Sequence, residues 1–86
     1  MDIGVEISLY PLKKEFVPVI REFLDRLQQV PDLKVVTNSM STQVFGGYEE
    51  VMEALRRELK STFHTLAQGS DKAVFVMKVL GPLPPA

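Results

Sequence analysis

The chain has 86 residues, enough for one domain and short of two, and its 45% apolar content suits a packed globule rather than a disordered chain. Lys and Arg number 10 against 11 Asp and Glu, a formal charge of −1 spread along the sequence, which excludes the basic stripe that phosphate backbones require. There is no cysteine, so disulfides, thiolate metal sites and thiol nucleophiles are excluded too.

No apolar run approaches the ~20 residues of a membrane span. The opening Met1-Asp2-Ile3-Gly4 lacks the basic stretch and apolar core of a secretory leader. A cytoplasmic protein with no membrane partner is expected.

In chain order, Ile3, Val5, Ile7 and Leu9 alternate with Gly4, Glu6, Ser8 and Tyr10. This period of two predicts a half-buried strand, ended at Pro11. Phe16, Ile20, Phe23, Leu27 and Val30 then recur at helical spacing. Pro18 is tolerable only in the first turn, which places the helix start near Glu15, and Pro31-Asp32 ends it. Leu33 to Asn38 reads as a second strand and Thr42 to Phe45 as a third, joined through Ser39-Met40-Ser41 as a hairpin.

Gly46-Gly47 releases the chain into a second helix, with Val51, Leu55, Leu59, Thr62 and Leu66 on one face. Its acidic start, Glu49, Glu50 and Glu53, complements the helix dipole, and Gly69 is the expected C-cap. Ala73 to Val79 is a nearly continuous apolar strand. Residues 1–80 are expected to form one domain, with 81–86 a Pro-rich tail unable to continue a ladder.

The order β-α-β-β-α-β predicts a split βαβ, α+β two-layer sandwich of the ferredoxin-like kind. It has a four-stranded antiparallel sheet with both helices on one face, the first and third strands central. The uncovered face must then meet water, a ligand or another subunit. The last strand is apolar on both sides, and monomers rarely leave such a patch bare. Association into a homodimer or homotetramer is expected.

Enzyme chemistry finds little support. His64 is a lone helix histidine, and no carboxylate stands at a metal-ligand spacing from it, so neither a metal site nor a cofactor is expected. Gly46-Gly47 is a strand-to-helix turn rather than a phosphate loop, and three glutamates follow it. The first loop, Pro11-Leu12-Lys13-Lys14, lacks the arginine of an acylphosphatase loop. Tyr10 and Phe45 are too few for a stacking RNA reader, and Glu6 has the wrong sign. Glu6, Ser8 and Tyr10 on one strand face are either a solvated polar face or one wall of a pocket. Such a wall suits a planar, nitrogen-rich, cationic ligand. Asn38, Ser39, Ser41 and Thr42 are either turn chemistry or further polar groups of that pocket.

The run Val5-Glu6-Ile7-Ser8-Leu9-Tyr10-Pro11-Leu12 resembles the opening strand of the thiamine-binding, YkoF-like proteins. Asn38-Ser39-Met40-Ser41-Thr42-Gln43-Val44-Phe45-Gly46-Gly47 is similar to their second signature, and Tyr48-Glu49-Glu50-Val51 to their helix opening. Ser41 departs from the glycine common there. The resemblance implies a ferredoxin-like fold and non-catalytic binding of thiamine or its hydroxymethylpyrimidine portion by an assembly of single-domain copies. It implies ligand contacts at Glu6, Ser8, Tyr10 and Thr42, with Asn38 and Met40 as further candidates. Glu6 would compensate charge or accept from the aminopyrimidine, Tyr10 would stack, and Ser8 and Thr42 would orient. The alternative is a self-assembling interaction module with no small-molecule ligand.

Overall fold

A computed structural model describes residues 1–84. Six elements follow the expected order: β1 (Asp2–Leu12), α1 (Val17–Gln28), β2 (Lys34–Thr37), β3 (Thr42–Gly47), α2 (Tyr48–Ala67) and β4 (Lys72–Leu83). All pairings are antiparallel and the sheet order is β2-β3-β1-β4, so β1 and β3 are central. Among the described residues, no helix is long and apolar enough to cross a membrane.

Alternation along the strands decides what is buried. Ile3, Val5 and Ile7 of β1 and Val44 of β3 point to the helices and are at most 3% exposed. They meet Phe23 and Leu27 of α1 and Val51 and Leu55 of α2 in one core. Phe75 of β4, paired with Leu9, closes this layer by an edge contact to Phe23 at 5.3 Å between ring centres. The register left open in β3 is thereby settled: Val44 faces inward and Phe45, opposite Gly4, faces outward.

The helices are also joined by a polar contact that the apolar stripe does not show. Arg26 of α1 donates from Nε to Glu58 Oε1 at 2.6 Å and from Nη2 to Thr62 Oγ1 at 3.1 Å. Glu58 is thus buried in α2 with its carboxylate paired, as burial of a charge requires.

Three expectations are corrected. Pro11 does not end β1, which continues to Leu12 paired only with β4. Beyond Ile7 there is no β3 alongside, so Pro11 lies in an edge segment, where proline is tolerated. The last strand does not stop short of Gly81 either; it runs to Leu83, and Asp2 pairs with Leu83. The register shifts between Asp2 and Gly4, giving β4 one extra residue at Gly81-Pro82, and a bulge is where a ladder can hold a proline. Residues 85–86 of the expected tail lie outside the described residues. Finally, Gly69 is not the left-handed residue after α2; Ser70 is, at φ 59°, while Asp71 N–H donates to Leu66 C=O to close the helix end.

Candidate functional site

β1 outruns its neighbour. Its pairing with β3 ends at Ile7–Thr42, whereas its pairing with β4 continues to Leu12–Lys72. The notch left beside Ser8–Tyr10 is walled by α1 on one side and by the β2–β3 hairpin tip on the other, and it forms a cleft of about 220 Å³. Ile7, Leu9, Ile20, Phe23 and Leu24 give it an apolar floor. Ser8 and Tyr10, with Thr37, Asn38, Ser39, Ser41 and Thr42, give it a polar rim, and the exposed Met40 adds an apolar side chain to it. Among the described residues lining it, none carries a charge.

The hairpin tip is held by its own sequence. Asn38 Oδ1 accepts from the backbone N–H of Met40 at 2.8 Å and of Ser41 at 3.0 Å, and Asn38 N–H donates to Ser41 C=O at 3.1 Å. An asparagine two and three residues before the donors is the arrangement that fixes such turns. The Asn38 carbonyl oxygen is committed to the turn, which leaves its amide N–H donors for a ligand. Thr37 and Thr42, a cross-strand pair, share a hydroxyl–hydroxyl hydrogen bond of 3.2 Å below the tip.

Of the residues picked from the sequence, Ser8, Tyr10, Asn38, Met40 and Thr42 line this cleft, and Glu6 does not. Thr42, expected among the polar groups of the hairpin turn, is the first residue of β3. It is opposite Ile7, turned toward the helices and 5% exposed. The reason is geometric. Glu6 is flanked by Gln43 of β3 and Lys78 of β4, on the open face and before the point where β3 ends. Its carboxylate accepts from Ser41 Oγ at 3.2 Å and stands 3.7 Å from Lys78 Nζ. Glu6 therefore ties the hairpin tip to the sheet instead of facing the cleft. Ile20 and Phe23 were read only as part of the apolar stripe of α1; that they also line a cleft depends on β3 ending opposite Ile7, which the helix pattern does not record.

Elsewhere, the sheet's outer face and the β4 edge expose Val74, Val76, Met77, Val79 and Leu80. A shallow apolar groove of about 170 Å³ runs beside β4, between Met52, Leu59, Met77 and Val79. His64 is exposed on α2, and among the described residues no group of three His, Asp or Glu stands where it could hold a metal ion.

The backbone resembles those of several solved structures. One is a Thermotoga maritima protein to which a role in thiamine biosynthesis or salvage is provisionally attributed. It has a TM-score of 0.78 and 16% identity, over 92% of this chain and 82% of that one. A hypothetical protein from Methanocaldococcus jannascii matches with a TM-score of 0.78 and 20% identity, over 99% and 84%. A Streptococcus pneumoniae protein matches with a TM-score of 0.83 and 18% identity, over 96% and 89%. At these identities the likeness is one of fold. No curated protein matches the sequence. The sequence itself matches the YKOF-related family over residues 2–78, so the chain belongs to that family.

Proposed function

We propose that this protein binds thiamine or its hydroxymethylpyrimidine portion in the cleft beside Ser8–Tyr10, without catalysing a reaction. The observation that carries the reading is the cleft itself, with its apolar floor, its rim of hydroxyl and amide groups and no charge. At about 220 Å³ it is smaller than the ~300–1,000 Å³ of sites for drug-sized ligands, and it suits one ring. A neutral lining favours the aminopyrimidine over the cationic thiazolium, so thiamine would enter pyrimidine first and keep its charge in water. Family membership and the attribution of the Thermotoga protein support the same ligand class. The rim offers donors and acceptors but no acid–base pair, which is why we read a binder and not an enzyme.

The assembly is proposed to hold two or four copies in the cytoplasm. The support is the apolar belt around β4, which a second copy would cover on both the strand's outer face and its edge groove. That belt also favours a second reading, a self-assembling module in which the cleft has no ligand.

Filling the cleft separates the two. Leu24 is partly buried and lines the floor, so Leu24→Trp is expected to weaken hydroxymethylpyrimidine binding by at least about tenfold in a calorimetric titration, with the assembly mass unchanged. Equal binding by wild type and Leu24→Trp would move the site away from this cleft. Absence of binding by both would leave the assembly reading.

A further inference from the structure

We infer that the open backbone edge of β1 reads the ligand, and that the site selects planar heterocycles carrying an in-plane hydrogen-bond donor next to an acceptor. This rests on the cleft being the binding site and adds what recognises the ligand there. β1 alternates its side chains between two faces, so a cavity lying above one face would be lined by residues of one parity. Here Ile7 and Leu9 line the cleft together with Ser8 and Tyr10. Lining by both parities fits a cavity that runs along the strand's edge, which is where β3 ends.

Among the described residues, that edge is unpaired. β3 stops at Thr42, opposite Ile7, and β4 lies on the other side of β1. In an antiparallel strand, alternate residues turn their N–H and C=O to the same side, so the stretch after Ile7 directs such groups into the cleft. Backbone groups of this kind require partners, supplied by water or by a ligand. A second strand cannot supply them at this point. The hairpin tip is closed by Asn38 and tied to Glu6 through Ser41, so β3 cannot extend, and the space left is the size of one ring. Pro11, which has no N–H, ends the run of donors just past the cleft. A neighbouring strand would present a C=O and an N–H in the sheet plane. A flat heterocycle with an exocyclic amine beside a ring nitrogen presents the same pair, and its faces would lie toward the apolar floor.

The test is amide hydrogen exchange, followed residue by residue by NMR on the full chain, with hydroxymethylpyrimidine and with the same ring lacking its amine. With the amine present, at least one amide among Ser8, Leu9 and Tyr10 is expected to slow by about tenfold or more, while edge amides of β2 do not change. The ring without the amine is expected to bind at least about tenfold more weakly. Binding that leaves the Ser8–Tyr10 amides unprotected, or that ignores the amine, overturns the backbone-edge inference and leaves the cleft as the site. Failure of both compounds to bind overturns the proposed ligand and this inference with it. Protection accompanied by a doubling of mass would assign the edge to a second chain and overturn the inference.

Discussion

Phe23→Ala is expected to lower the unfolding free energy by ~3–5 kcal/mol, the usual cost of truncating a fully buried aromatic ring. Phe23 is 2% exposed, sits in the core with Leu27 and Val51, and stacks edge-on against Phe75. A domain of this length has roughly 4–13 kcal/mol in total, so the variant should be marginal, with its midpoint lowered by at least ~12 °C. Phe63→Ala is the control. Phe63 meets the same Phe75 ring at 5.4 Å but is 44% exposed, and its removal is expected to cost under about 1.5 kcal/mol. Denaturant titrations should show a shifted midpoint with unchanged slope for both variants. Equal costs for the two would mean that the core is not centred where α1 crosses β1. Because Phe23 also forms part of the cleft floor, its loss should weaken ligand binding beyond what stability alone explains.

The second large effect concerns assembly. Val79→Lys places a charge in the groove beside β4, close to Met52, Leu59 and Met77 and to the cationic Arg56. Val79 is 57% exposed in the single chain, so the fold itself should change by no more than about 0.5 kcal/mol. If two copies meet along this edge, the substitution buries two unpaired like charges. Self-association is then expected to weaken at least about a hundredfold, equivalent to ~2.7 kcal/mol, and the mass in solution to fall by half or more. An unchanged mass would place the interface elsewhere. A wild-type chain that is already single would remove the assembly from the account.

Most of the fold could be read from the sequence because period two and period 3.6 are strong where one face is buried. Ile3, Val5 and Ile7 carried β1, and Val51, Leu55, Thr62 and Leu66 carried α2; all are buried as their spacing implies. What escaped was set by neighbours rather than by local pattern. Pro11 reads as a stop unless it is known that β3 ends at Ile7–Thr42, and Gly81-Pro82 reads as a tail unless the β4 bulge is seen. Glu58 interrupts no periodicity, yet it is buried because Arg26 comes to it from another helix. The site shows the same division. Ser8 and Tyr10 stood out as polar groups on β1 and Asn38 as one at the hairpin turn, Met40 came only with the family resemblance, and all four line one cleft. Glu6 and Thr42 were both assigned to the ligand by the family resemblance, which carries no information on how β1 pairs with β3. The register places them on opposite faces. The notch itself exists only because two paired strands differ in length, which no single strand records.

The central claim, a ring-sized binding cleft beside Ser8–Tyr10, is tested most directly by thermal unfolding of the wild-type protein with and without thiamine and hydroxymethylpyrimidine. Ligand at about a hundred times its dissociation constant adds ~2.7 kcal/mol to the folded state, which for a domain of this size raises the midpoint by roughly ten degrees or more. The account predicts that rise with both compounds, because both carry the aminopyrimidine. An unmoved midpoint at millimolar concentrations of each would contradict it.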